Sequence, residues 1–184
     1  MKNTRTLDIA LSLIILVLTL PIFCIVILLG FLDTKKPILL QKRIGKHKTP
    51  FTLIKFRTMK INTPHVASHC ADKQLITPIG KFLRKYKIDE LPQLINVTKG
   101  EMSLVGPRPN LLNQYELIKE RDKLGVYSVL PGVTGLSQLS GIDMSTPLKL
   151  AESDAKMIQS ITISRYFKFL LLTFFGKGNR DSIK

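Results

Sequence analysis

Hydrophobic and polar positions divide this chain into one long apolar run and a mixed remainder. From Ile9 to Leu32 no residue is charged, and a run of that length suffices for a helix that crosses a bilayer. It exceeds the apolar stretch of a secretory signal, and no small-residue cleavage site follows it before Lys35-Lys36. Pro21 sits near its middle. Proline lacks a backbone N–H and its ring clashes with the preceding turn, so the sequence predicts a kink there.

After the apolar run the period changes. Residues 37–43 and 51–58 are rich in apolar and β-prone side chains, and Gly45-Lys46-His47-Lys48 is a polar turn between them. This pattern predicts a short β-hairpin. Residues 61–76 read as an exposed loop. Thr77-Pro78 then starts a helix, with Thr as N-cap and Pro in the first turn. Ile79, Phe82, Leu83 and Tyr86 form an apolar stripe, and Lys81, Arg84, Lys85 and Lys87 fall largely off it. Such a basic amphipathic helix suits a membrane surface or a phosphate site, and equally a core helix with a solvated face. Asp89 is expected to cap the next helix, with Leu91, Leu94, Ile95 and Val97 inward and Gly100 ending it. Pro147 to Gln159 reads as a further helix. The aromatic-rich stretch 163–175 is too short to span and reads as an interfacial helix or a core element. Helices and a small hairpin together predict an α+β fold.

Charge sharpens the picture. The chain has 184 residues, one domain's worth, with 28 Lys plus Arg against 13 Asp plus Glu. An excess of +15 calls for an anionic partner. Nucleic acid is disfavoured by the greasy N-terminus and by the sparse aromatics, with no Trp at all. Basic residues flank the apolar run on both sides: Lys2 and Arg5 before it, and Lys35, Lys36, Lys42, Arg43, Lys46 and Lys48 after it. The positive-inside tendency would put both flanks in the cytoplasm. One straight span cannot satisfy both, whereas a helix that enters, bends at Pro21 and returns can. Spanning helices are far commoner than re-entrant ones, so the residues alone favour a straight anchor. Cys24 and Cys70 cannot build a disulfide framework and read as free thiols in a reducing compartment. His65, His69 and Cys70 have no partner pair at metal-ligand spacing, so no zinc site is expected.

Three segments carry candidate chemistry. Asp89 and Glu90 are adjacent carboxylates in basic surroundings. At a helix start their negative charge is stabilised, and the same N-terminus can meet a phosphate. The plainer reading makes Asp89 only a cap and Glu90 only a first-turn acid. Val105-Gly106-Pro107-Arg108-Pro109 is a rigid loop in which two prolines flank a guanidinium suited to bidentate phosphate binding. Leu130 to Gln138 is a second turn-rich loop, whose glycines permit close backbone approach to a ligand.

Taken together, these residues resemble the small monotopic phosphoglycosyl transferases of the bacterial sugar transferase family. The resemblance covers nearly the whole chain, from Arg5 to about Phe174. It rests on an ordered set of strings: Arg5-x-x-Asp8, Gln41-x-Arg43-x-Gly45, Lys55-Phe56-Arg57-Thr58-Met59, Asp89-Glu90-Leu91-Pro92-Gln93-Leu94, Lys99 through Pro109, and Pro131-Gly132-Val133-Thr134-Gly135-x-x-Gln138. It implies a re-entrant helix over residues 1–34, broken at Pro21, packed on a cytoplasmic domain over 35–184 with interfacial helices. That reverses the preference for a straight anchor. Arg5 and Asp8 are expected to pair where the chain enters the bilayer.

The resemblance further implies a covalent mechanism. Asp89 would be the nucleophile, Glu90 its partner, and Mg²⁺ would sit at the two carboxylates. Arg57, Arg84, Pro107, Arg108, Pro109 and Gln138 become candidates for the substrate phosphates. The implied reaction moves a phosphosugar from a UDP-sugar to a polyprenol phosphate such as undecaprenyl phosphate, at the cytoplasmic face of the bacterial inner membrane. Downstream glycosyltransferases would use the product. Leu20, Leu130, Leu136 and Ile142 depart from residues frequent in the family, three of them in or beside the second loop. A competing class is a membrane-tethered protein whose basic surface grips anionic lipid or RNA without catalysis.

Overall fold

The apolar run is two helices rather than one. The computed structural model describes residues 4–61, 63 and 72–176. Helix α1 (Arg5–Leu18) and helix α2 (Leu20–Thr34) meet at Thr19 with a bend of 62°. The break therefore falls two residues before Pro21, which lies in the first turn of α2. The reason is local: Pro21 offers no N–H to the turn before it, and its ring disfavours helical backbone just upstream. The Thr19 hydroxyl donates to the Ile15 carbonyl at 2.7 Å, alongside the Thr19 N–H at 2.9 Å. Thr19 thus supplies a polar group at the bend, which Leu20 cannot. Among the described residues no single helix is long and apolar enough to cross a membrane; the bent pair is, by length and composition.

Strands β1 (Ile38–Ile44) and β2 (Pro50–Phe56) form the expected antiparallel hairpin, with Gln41 opposite Leu53 and Arg43 opposite Phe51. Its turn uses positive φ at His47 and Lys48. Helix α3 (Pro78–Lys85) begins as predicted, with the Thr77 hydroxyl accepting from the Gly80 N–H at 2.9 Å. Its apolar stripe splits, however. Leu83 is buried, whereas Phe82 and Tyr86 point outward. Gly80 is required because a Cβ there would meet the Thr58 carbonyl oxygen at 2.1 Å.

Asp89 does not cap the next helix. Ile88–Glu90 is a separate 3-10 turn, entered through Lys87 at φ 56°, and helix α4 (Gln93–Lys99) starts only after Pro92. Proline at that point suits the start of a helix because no N–H is needed there. Gly100, at φ 89°, ends α4 as expected. Strands β3 (Ser103–Val105) and β4 (Gly132–Thr134) form a short parallel pair. Helices α5 (Tyr115–Lys123), α6 (Leu136–Leu139), α7 (Pro147–Ser160) and α8 (Ile163–Phe174) complete the chain. Phe51, Leu53, Val97, Met102, Val105, Met157 and Tyr166 belong to the main core, against which Leu11, Ile15 and Leu16 of α1 also pack. A second cluster joins Val26 of α2 to Phe56 and Leu83.

Arg5 and Asp8 do not pair with each other, because both are taken by the rest of the chain. Arg5 donates to the carbonyls of Thr98 and Met102 at 3.2 and 3.3 Å. Those carbonyls lie at and just beyond the C-terminus of α4, the negative end of its dipole. Asp8 is buried and accepts from Ser103 Oγ at 2.9 Å, from the Leu104 N–H at 2.9 Å and from the Tyr166 hydroxyl at 2.7 Å. Thr4, Asp8 and Ser12, one turn apart, are all buried. This polar stripe turns one side of α1 toward the domain and leaves Leu13, Ile14, Val17 and Leu18 exposed.

Loss of the Tyr166 hydroxyl should be costly, since a hydrogen bond to a charged group contributes about 1.5–3 kcal/mol. Tyr166→Phe is expected to lower stability by that amount in a thermal melt of the full chain. A shift near zero would remove Asp8 as the tie between α1 and α8.

Candidate active site

The two carboxylates sit in the 3-10 turn between α3 and α4, with Asp89 buried and Glu90 partly exposed. Arg108 reaches them from the loop after β3, its Nη2 lying 2.8 Å from Glu90 Oε1. That loop has lost two N–H donors to proline, and its carbonyls fix it instead. Gly132 N–H donates to the Pro107 carbonyl at 2.8 Å, and Arg121 Nη1 to the Arg108 carbonyl at 2.9 Å. Arg43 Nη1 donates to the Pro109 carbonyl at 3.1 Å, and Ile44 N–H to the Asn110 carbonyl at 3.0 Å. Four consecutive carbonyls are thus held by four different groups. Both prolyl bonds are trans. Close backbone approach is needed as well: a Cβ on Gly132 would lie 2.0 Å from the Gly106 nitrogen.

Cations surround the dyad. Gln41, Arg43 and Lys55 share one face of the hairpin, through the register that sets Gln41 opposite Leu53 and Leu39 opposite Lys55. Burial pushes the Lys55 ammonium down to about 8; Asp89 opposes this, while Arg43, Arg84 and Arg108 push further down. Burial likewise lowers Arg43 to about 9, with Arg108 adding and Glu90 opposing. Lys55 and Arg43 therefore feel the dyad and the surrounding guanidinium groups together. Arg84 Nε donates to Thr58 Oγ1 at 2.9 Å, while its Nη1 is buried with no hydrogen-bond partner. A buried guanidinium nitrogen of this kind calls for an anionic acceptor.

The other sequence candidates lie elsewhere or act differently. Arg57 donates to the carbonyls of Lys36 and Ile38 at 2.8 and 3.4 Å, at the exit of α2. Pro107 and Pro109 shape the loop that carries Arg108. Gln138 Nε2 donates to the Val133 carbonyl at 2.9 Å, bracing its own loop. Leu136 packs on the main core. His65, His69 and Cys70 fall outside the described residues, and among the described ones no cluster of three or more His, Cys, Asp or Glu could hold a metal ion. Sequence reasoning missed Lys55 and Arg43 as site residues. Their signal was present, a charged residue at alternating positions of an otherwise apolar strand face, but that face turns to the dyad only in the folded hairpin.

The site thus sets two adjacent carboxylates near Arg108, Arg43 and Lys55, in a chain whose first two helices form a bent apolar pair. The family model described as "Bacterial sugar transferase" matches residues 2–178, and the chain belongs to that family. It is 35% identical over 182 residues to the UDP-glucose:undecaprenyl-phosphate glucose-1-phosphate transferase of Escherichia coli strain K12, covering 93% of this chain and 39% of that protein. The protein of the same name from Caulobacter vibrioides is 34% identical over 179 residues, covering 92% of this chain and 67% of its own length. A putative undecaprenyl-phosphate N-acetylgalactosaminyl 1-phosphate transferase of Bacillus subtilis is 46% identical over 108 residues, covering 57% of this chain and 60% of that protein. The chain thus spans less than two thirds of the length of most of these relatives.

The lowered Lys55 value makes stability depend on pH. An ordinary lysine titrates at 10.5, so from about 8 to 10.5 the unfolded chain binds more protons than the folded one, and stability rises with pH. Below about 8 both forms are protonated and the full cost of burying the charge remains. Lys55→Met should therefore melt higher than wild type below that pH, with the advantage shrinking as pH climbs toward 10.5. A difference in Tm that is constant across the window would contradict a buried cation at this position.

Proposed function

We propose that this chain is a phosphoglycosyl transferase that moves a phosphosugar from a UDP-sugar to a polyprenol phosphate, undecaprenyl phosphate being the acceptor its relatives' names indicate. The observation that carries the reading is the Asp89-Glu90 pair with Arg108 2.8 Å from Glu90, Lys55 and Arg43 near enough to feel its charge, and Arg84 near Lys55. Phosphoryl transfer asks mainly for positioning and for neutralisation of charge, and this arrangement offers both.

The chemistry divides into two displacements at one carboxylate. An Asp89 oxygen attacks the β-phosphorus of the UDP-sugar. The bond from that phosphorus to the bridging oxygen breaks, and UMP departs with the electron pair. A phosphate oxygen of the polyprenol phosphate then attacks the same phosphorus. This releases the Asp89 carboxylate and forms polyprenol-diphosphate-sugar. Glu90, held by Arg108, orients or tunes its neighbour. Arg84 Nη1 and Arg108 steady the anionic oxygens, and Lys55 offsets their charge.

Two adjacent carboxylates suit Mg²⁺, which binds through one or two carboxylates together with substrate phosphates and waters. Asp89 and Glu90 would hold it, and when bound it would neutralise charge on the phosphates. Arg108 Nη2 lies 2.8 Å from Glu90 Oε1, so a cation held at the pair would share that carboxylate with the guanidinium.

The acceptor is a lipid, which fits a site beside the bent helix pair. Support for a re-entrant arrangement comes from Arg5 and Asp8, which dock on residues 98–104, in the same body as the chain that follows Lys35. On this reading residues 1–34 dip into the cytoplasmic leaflet of the bacterial inner membrane and residues 35–184 remain on its cytoplasmic face. Phe82 and Tyr86 of α3, with Ile163, Phe167, Leu171 and Phe174 of α8, would rest at the headgroup level.

Release of UMP from a panel of UDP-sugars with undecaprenyl phosphate tests the activity. Asp89→Asn should associate with membrane as wild type does and lose on the order of 10³-fold or more in rate. Appreciable turnover by that variant would remove Asp89 from the nucleophile's role. In a Cys24→Ser, Cys70→Ser background, single cysteines at Thr6 and Lys36 are expected to react with an impermeant thiol reagent from the same side. Reaction from opposite sides would restore a straight anchor.

A further inference from the structure

Arg108 is aimed by a residue that the chemistry above does not use. Arg121 of α5 and Asp154 of α7 are each only 1% exposed. Arg121 Nε and Nη2 donate to Asp154 Oδ2 at 3.0 and 2.6 Å. Its remaining nitrogen, Nη1, donates to the Arg108 carbonyl at 2.9 Å and to Asn110 Oδ1 at 3.0 Å. Tyr127 donates to the same Asn110 oxygen at 3.0 Å. On the other side, Ser137 Oγ of the second loop donates to Asp154 Oδ1 at 2.6 Å.

One buried ion pair thus grips both loops, the one bearing Arg108 and the one following β4. Set against apolar residues of the same volume, such a pair adds little net stability, because desolvation offsets the attraction. What it does secure is geometry. The guanidinium is planar with fixed donor directions, so satisfying Asp154 leaves Nη1 one direction in which to hold the Arg108 backbone.

We propose that Arg121 and Asp154 are positioning residues for phosphoryl transfer: together they fix the Pro107–Pro109 backbone so that the Arg108 guanidinium meets Glu90, and through Ser137 they lock the second loop to the same anchor. This rests on the transferase reading.

The test is a double-variant cycle on the full chain in detergent, following UMP release from UDP-glucose, UDP-galactose and UDP-N-acetylgalactosamine with undecaprenyl phosphate. Asp154→Asn keeps the volume and removes the charge. It should lower kcat about 10²-fold, the loss a displacement of roughly 1 Å produces, with KM within about threefold. If Asp154 acts through Arg108, then Asp154→Asn/Arg108→Ala should be no more than about threefold slower than Arg108→Ala alone, since coupled sites are not additive. Losses that multiply in the double variant overturn the proposal. Ser137→Ala provides a milder perturbation for amide hydrogen exchange. Faster exchange is expected at amides in both 106–111 and 132–138, with the β1–β2 hairpin unchanged. Acceleration confined to residues 136–140 would overturn the coupling. If the wild-type chain releases no UMP from any donor, the transferase reading falls, and the exchange result still decides whether the ion pair joins the two loops.

Discussion

A carboxylate buried on an apolar helix is the constraint around which this structure is organised. Asp8 cannot remain ionised away from water unless its oxygens are satisfied. Ser103, Leu104 and Tyr166 satisfy them, and these partners come from β3 and α8, far along the chain. Burial above all, with the hydrogen bond to Asp8 and its charge adding, holds the Tyr166 hydroxyl well above its ordinary range, so it stays a donor. Arg5 adds two bonds to the end of α4. The first helix is therefore committed to the domain by polar contacts as well as by apolar ones. With that end fixed, the 62° bend at Thr19 determines where α2 runs and where the hairpin begins.

The site inherits its order from this docking. Asp8 binds β3 at Ser103 and Leu104, and β3 leads directly into the loop that carries Arg108. A loop with proline on both sides of its arginine has few backbone donors, so rigidity has to come through its carbonyls. Each of the four from Pro107 to Asn110 finds a donor on a different part of the fold. The outcome is an arginine presented at 2.8 Å to Glu90 by a backbone with little freedom. Burying cations around that point is costly: desolvation first, and then the neighbouring guanidinium charges, lower both Lys55 and Arg43. Proteins tolerate such cost chiefly where function needs it.

The surface divides along the same lines. The outward residues of α1 and α2 form a long apolar face, and α3 and α8 add exposed aromatics. Each of these two helices also buries one side, with Leu83 and with Tyr166 and Phe169. They are thus core elements and exposed apolar surfaces at once. Thr173 of α8 shares a hydrogen bond of 2.6 Å with Thr134 of β4, so this helix too is tied to the strand that leads into the second loop.

The local signals in the sequence were reliable wherever the determining physics lies within a few residues. The hairpin, the Thr77 cap, the Gly100 stop and the kink from Pro21 each follow from backbone chemistry at or beside the residue in question. The adjacent acids and the Pro-Arg-Pro loop stood out as candidates, but the residues alone made a plain cap the simpler reading of Asp89, and it was the ordered set of strings along the chain that singled them out. Asp89 was misjudged as a cap because a 3-10 turn and a helix start look alike over three residues, and the positive φ of Lys87 decided between them. The i, i+3 spacing of Arg5 and Asp8 suggested a mutual pair, but both found better partners about a hundred residues away. Lys55 and Arg43 became site residues only when the hairpin turned one face toward the dyad, and Arg121 and Asp154 joined two loops only when α5 packed on α7. The chain by itself thus determined its bends, caps and charged strings. Which charges meet, and which are left to hold a ligand, was decided by packing, because electrostatic and hydrogen-bond energies depend on distances that only the folded core sets.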